Sequence, residues 1–254
     1  MKFHEMTAHQ LKAVDRSKTL VLAPIAAVEQ HGPHLPTGTD TIICGAVSEA
    51  VESRRPDSVL LLPTLWLGAS AHHLRLGATL SANLDTYIAT LCEIAQQLLD
   101  DNFERLVFLN GHGGNVDPLK VALRELQLED PRPLLAGGSY WSVAEKVIAD
   151  GLDGADKAVG HACEFETSMI MHLRPELVDT PKLADAGFWQ PDTVEGFYVS
   201  RDMKQRTKTG CTGRPDLATP EKGAAIFEGI VNRVCQAVDT LLVTKLGEDY
   251  EELI

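Results

Sequence analysis

No apolar run in the sequence approaches the roughly twenty residues that a membrane span requires, and Met1–Met6 carries no apolar signal region. A cytoplasmic protein with no membrane partner is therefore expected. No two of the five cysteines (Cys44, Cys92, Cys163, Cys211 and Cys235) stand at CxxC spacing. This argues against a zinc ribbon, and an odd, scattered set argues against a disulfide framework. Cys44 and Cys92 fall in helix-like segments and read as small core residues. Basic residues are in short supply. The 23 Lys and Arg face 36 Asp and Glu, a net charge of -13, which argues against nucleic acid or an anionic surface as the main partner. No internal repeat, low-complexity segment or domain boundary is apparent. The 254 residues, 44% hydrophobic and 23% charged, read as one ordinary globular domain over residues 1–254.

What is present is an alternation of buried strands and amphipathic helices. Apolar runs predict strands at Leu20–Ile25, Val59–Pro63, Arg105–Leu109 and Pro133–Ala136. Helical spacing predicts helices at about Thr7–Val14, Thr41–Ser53, Thr86–Asp101, Pro118–Leu128, a segment ending near Leu173, and Pro220–Lys245. Asp85 is a candidate cap for the third of these, and Asp117 or Asn115 for the fourth. Residues 174–219 look irregular, and Glu248–Glu252 reads as a solvated acidic tail. The pattern implies an α/β fold: a three-layer α/β/α sandwich around a mostly parallel sheet. Ligands of such sheets bind beyond the carboxyl ends of the strands.

Chemistry-bearing residues gather at those ends. Glu29-Gln-His-Gly-Pro-His-Leu-Pro-Thr-Gly-Thr-Asp40 follows the first strand and holds Glu29, His31, His34 and Asp40 on a loop stiffened by prolines. In extended chain Glu29 and His31 point the same way. The third strand runs into Asn110-Gly-His-Gly-Gly-Asn115, where glycines leave space beside His112. The pair His72-His73 lies in the irregular segment 64–83. His161, Glu164 and Glu166 stand at a helix entrance. His161 and Glu164, three apart, can share a face, while a carboxylate at a helix N-terminus is also an ordinary structural preference. Three carboxylates and two to four imidazoles, with no cysteine, suit Zn²⁺, Mn²⁺ or Fe²⁺ better than Ca²⁺ or Mg²⁺. Five ligands exceed what one catalytic zinc takes from protein and match two ions sharing a bridging carboxylate.

These residues resemble the creatininase (creatinine amidohydrolase) family of metal-dependent hydrolases. The resemblance runs from Leu20 to about Gly223. It rests on E-Q-H-G-P-H-L-P…D (Glu29–Asp40), N-G-H-G-G-N (Asn110–Asn115), H-A-C-E-F-E-T-S (His161–Ser168) and G-C-T-G-R-P…A-T-P-E-K-G (Gly210–Gly223). It implies a creatininase-like fold, a homohexamer and two divalent ions per chain, Zn²⁺ and/or Mn²⁺ with Fe²⁺ as an alternative. The ligands it implies are Glu29, His31, Asp40 as the bridge, His112, and Glu164 as the fifth. Gly114 stands where the creatinine-hydrolysing branch has a glutamate ligand. Glu166 is assigned to orienting a ligand or capping the helix. His161 is the candidate acid for the leaving nitrogen. His73, Trp141, His34 and Gly113 are candidate substrate contacts, His34 equally a loop anchor and Trp141 a core residue.

The expected reaction is hydrolysis of a C–N bond in a small amide, cyclic ones included, by a hydroxide bridging two ions. Gly113, Gly114 and the segment 157–160 depart from the creatinine-hydrolysing branch, so creatinine itself is not the expected substrate. The alternatives are ring opening of an oxidised sugar or cyclitol, and a non-catalytic metal-binding scaffold.

Overall fold

The computed structural model describes residues 1–155, 157–187 and 193–247; the acidic tail predicted at 248–252 lies outside the described residues. Four strands, β1 (Leu20–Ile25), β2 (Val59–Leu61), β3 (Arg105–Asn110) and β4 (Leu134–Ser139), form a parallel sheet in the order β2-β1-β3-β4. Leu20 pairs with Val59 on one side and with Arg105 on the other, and Arg105 pairs with Leu134. Strand order reverses direction between β1 and β3, which opens a crevice at their carboxyl ends.

β1 is buried along its whole length, and its side chains alternate between two cores, as the period of two requires. Val21, Ala23 and Ile25 join Leu106 and Phe108 against the helices Leu84–Asp100 and Val116–Glu129, through Tyr87, Leu91, Leu119 and Leu126. Leu20 and Leu22 join Val107 and Leu109 against the helices Thr39–Arg54, Glu164–Leu173 and Pro220–Val243, through Val47, Ile170, Ile230 and Val234. The fold is therefore creatininase-like α/β, a parallel sheet with helices on both faces.

The boundaries differ from the sequence-based ones by a few residues, with two differences of substance. Asn83, not Asp85, caps the helix Leu84–Asp100, accepting from the Thr86 amide. Asn115 stands at the start of Val116–Glu129 but makes no cap bond. Its side chain instead accepts from the Ala69 amide and donates to the Ala26 carbonyl, tying three loops together. Residues 174–219 hold short turns, the helix Met203–Arg206 and a two-residue hairpin, Thr193–Val194 with Phe197–Tyr198. All five cysteines are free; Cys44, Cys163, Cys211 and Cys235 are buried and Cys92 is half-buried. Among the described residues no helix is long and apolar enough to cross a membrane.

Candidate metal centre

β1 and β3 end side by side, Ile25 pairing with Asn110, so the loops after them share one space. Asp40 sits in the first turn of Thr39–Arg54, where the helix N-terminus favours a carboxylate. Its two oxygens separate two imidazoles: Oδ1 is 3.1 Å from His31 Nε2 and Oδ2 is 2.9 Å from His112 Nδ1. Glu29 Oε1 lies 3.4 Å from His112 Nδ1 and 3.2 Å from His73 Nε2. Glu166, from the first turn of Glu164–Leu173, brings Oε2 to 3.9 Å from His31 Nε2. Glu29, His31, Asp40, His112 and Glu166 are all buried.

The imidazoles are held in ligand-ready tautomers. A carbonyl only accepts, so His31 Nδ1–H donates to the Glu29 carbonyl at 3.0 Å and leaves Nε2 facing Asp40. His112 Nε2 points to Ser70 Oγ (3.2 Å) and the Ala69 carbonyl (3.4 Å), leaving Nδ1 facing the carboxylates. Fixing one ring nitrogen on a backbone carbonyl is how metal-ligating histidines are commonly oriented. Asn110 braces the turn, donating to the His112 carbonyl and accepting from its amide.

Electrostatics fit a cation in this space. Burial raises the pKa values of Glu29 and Glu166 above the usual carboxylate range. Burial alone would lower His31, but the charge and hydrogen bond of Asp40 override it and raise His31 to about 10. His112 is raised to about 9 against its burial, by Glu29 and Asp40. Burial works against Asp40 as well, yet His31 and His112 keep it ionised. Three crowded buried carboxylates lean on borrowed protons, and Glu29 Oε2 is buried with no hydrogen-bond partner. Such an orphaned acceptor requires an explanation, and a place among a cation's ligands is one. Among the described residues three groups have ligand atoms mutually within 4.8 Å: Glu29, His31 and His161; Glu29, His72 and His112; His31, Asp40 and Glu166.

Not every predicted site residue joins this cluster. Glu164, the predicted fifth ligand, turns away: its carboxylate accepts from the Asp153 and Gly154 amides, each at 2.9 Å, and from Lys222 Nζ at 2.6 Å. Glu166, assigned to orienting a ligand or capping the helix, accepts from the Ala162 amide and also stands in the cluster. Both lie in one helical turn, where two residues of separation turn a side chain by roughly 200°. His161 Nε2–H donates to the Gln30 carbonyl at 2.7 Å, and Nδ1 lies 3.7 Å from Glu29 Oε1. Burial, then the neighbouring His31, keeps its imidazole neutral.

His73 reaches the cluster as a brace for Glu29, with Nδ1 3.0 Å from Gln30 Nε2. His34 hydrogen-bonds Thr167 Oγ1 at 2.9 Å, anchoring the loop to Glu164–Leu173. Trp141 packs half-buried on the core, edge-on to Tyr140. A side chain at Gly113 would meet nothing within 4 Å, so space opens beside His112.

Sequence reasoning misses Gln30 and Ser70, and it singles out His72 without giving it a role. Gln30 Nε2 contacts His73 Nδ1, His161 Nε2 and the Gly210 carbonyl. Its only sequence signal is its place between two ligands.

The creatinine amidohydrolase family profile matches residues 4–238. The mycofactocin precursor peptide peptidase of Mycobacterium ulcerans is 33% identical over 219 residues, covering 84% of this chain and 81% of that protein. The creatinine amidohydrolase of Pseudomonas putida is 29% identical over 254 residues, covering 92% and 94%. The 3-dehydro-scyllo-inosose hydrolase of Thermotoga maritima is 26% identical over 179 residues, covering 69% of this chain and 57% of that protein. A crystal structure of a creatinine amidohydrolase homologue from Bacteroides fragilis superposes with a TM-score of 0.79 at 26% identity, covering 98% of each chain. Creatininase structures that also superpose include a Zn–Zn form and a manganese form, with TM-scores of 0.77 and 0.76, each at 25% identity. On this evidence the chain is a hydrolase belonging to the creatininase family of metal-dependent amidohydrolases.

Proposed function

We propose that this chain hydrolyses an amide C–N bond with two divalent ions, Zn²⁺ or Mn²⁺, held by Glu29, His31, Asp40, His112 and Glu166. The observation that carries the reading is Asp40, whose two oxygens face different imidazoles in a buried cluster that also holds two further carboxylates. Glu29 and His112 serve one ion, His31 and Glu166 the other, and Asp40 both. Such a pair would acidify water and polarise the amide carbonyl. Two doubly charged ions against three carboxylates would leave one net positive charge at the site.

His161 manages the proton. The Gln30 carbonyl holds its Nε2–H, so Nδ1 is the free basic nitrogen on the cluster side. Nδ1 takes the proton that the attacking water releases and passes it to the departing nitrogen, the usual economy of a general base that becomes a general acid. The Gln30 backbone carbonyl holds His161, and His73 holds Glu29, in register. The open space beside Gly113 receives the substrate.

A small amide, cyclic ones included, is the first substrate class to test, and the Pseudomonas putida relative supports it. A short peptide is the second reading. It is favoured by relatives at 30–33% identity whose names record peptide cleavage. The test is metal analysis of the purified chain with a screen of cyclic amides, linear amides and short peptides. Chelation should abolish turnover and Zn²⁺ or Mn²⁺ restore it. Asp40→Ala should lose both ions. Two ions retained in that variant, or turnover indifferent to chelation, would overturn the proposal. His161→Ala should keep both ions and lose about 10²–10⁴-fold in kcat, measured beside the metal content.

A further inference from the structure

The half-buried His72 has no part in the ligand set above. It lies against His112, the rings stacked at 5.6 Å between centroids and 20° between planes. It also meets His73 in a T-shaped contact, 4.3 Å between ring centroids, and His73 is itself held by Glu29 and Gln30. A ligand nitrogen of His72 thus stands within 4.8 Å of ligand atoms of both Glu29 and His112.

Position 114 makes this approach feasible. A Cβ on Gly114 would lie 2.2 Å from the Ala69 carbonyl oxygen, 2.6 Å from His112 Nε2 and 2.8 Å from His72 Cε1. Any side chain there would separate the two rings or displace the Ala69–Ser70 backbone, and glycine is the residue that permits the contact. The same clash bars position 114 from offering a ligand of its own. The side of the cluster nearest His112 would otherwise be served by Glu29, His112 and the shared Asp40 alone.

We propose that His72 ligates the ion nearest Glu29 and His112, giving that ion two imidazoles and the other ion one. The inference rests on the two-ion reading. It makes the pair unequal. Four protein ligands of mixed nitrogen and oxygen type suit Zn²⁺, whereas the carboxylate-rich partner side is the more tolerant of Mn²⁺. It also leaves the exchangeable coordination positions chiefly on the His31–Glu166 side.

The experiment titrates metal-free wild type, His72→Ala and His72→Phe with Zn²⁺ against a chromophoric chelator. A parallel titration uses Co²⁺, followed by its visible absorption, and metal-free melting curves check folding. Phenylalanine keeps an aromatic ring against His112 and His73 and removes the nitrogen, so it separates ligation from packing. Wild type should take up two ions. Both variants should keep one ion at wild-type affinity, bind the other at least tenfold more weakly, and show a changed Co²⁺ band for that ion alone. Unchanged affinity for both ions in either variant would overturn the inference, as would equal weakening of both. Two ions in wild type with unaffected variants would refute His72 alone. No uptake by wild type would refute the two-ion reading and His72 with it.

Discussion

Glu166 and Glu164 enter the same helical turn, and Glu166 alone brings its carboxylate to the His31–Asp40 pair, while Glu164 spends both oxygens on the Asp153 and Gly154 amides and Lys222. Their glutamine variants should therefore fail differently. Glu166→Gln should lower bound metal to about one ion per chain with little change in the metal-free melting temperature. Glu164→Gln should keep both ions and lose roughly 2–3 kcal/mol of stability, because it weakens charge-assisted hydrogen bonds to a buried acceptor. Elemental analysis beside a melting curve separates the two. His34 supplies a pH prediction. Burial, then the charge of His31, lowers its pKa from 6.5 to about 4. The unfolded chain then binds the proton more readily than the native one. The contribution is intact above about pH 6.5 and falls away as pH drops towards 4, by roughly 3 kcal/mol at most. Proton uptake on unfolding at pH 5, measured by calorimetry in two buffers, should fall by about one proton in His34→Gln. At this scale the sequence made the ligand types of the first loop and of His112 readable. It could not make the phase of the turn at Glu164 readable. That phase depends on where the helix begins, and Ala162 enters it with a φ of +48° that no residue type announces. Gln30 escaped notice because an amide carries no charge pattern, although its geometry makes it a hub.

Elements carry the ligands, so distortions of elements should be felt at the cluster. The helices Glu164–Leu173 and Pro220–Val243 cross where Gly223 meets Ser168, and a Cβ on Gly223 would lie 1.9 Å from the Ser168 carbonyl oxygen. Gly223→Ala should force the helices apart. It should cost about 1–3 kcal/mol as overpacking and weaken uptake of the ion served by Glu166, two residues before Ser168. A variant with wild-type metal affinity and melting temperature would show that the crossing yields freely. The strands and long helices were readable because two patterns agree in them: apolar runs of strand length, and apolar stripes at helical spacing. The extension of β3 to Asn110 was not readable, since the strand ends on a polar residue whose side chain grips the turn. Nor was the short helical turn Ala71–Leu76, which places His72 and His73. Its residues follow no apolar period, and it packs against the distant helix Met203–Arg206.

For the whole molecule, the ions should act as a stabilising ligand. At a free concentration about one hundred times the dissociation constant, a bound ion adds about 2.7 kcal/mol. In a chain of this size that is on the order of 5–10 °C in melting temperature. Chelation should lower the transition by that amount, and Zn²⁺ or Mn²⁺ should restore it; an unchanged transition would place binding outside the folded core. The excess of acidic residues, -13 in net charge, sets a diffuse negative field that draws cations towards the crevice.

His161 meets the Gln30 carbonyl across 131 positions of sequence, and Glu166 lies farther still from Glu29. A nascent chain that has laid down β1, β3 and their loops therefore holds every donor from Glu29 to His112 and lacks the last until the helix bearing Glu166 docks. Tight cation capture becomes a late milestone of maturation, so the kinetics of ion uptake during refolding would report when the distant segments have come together.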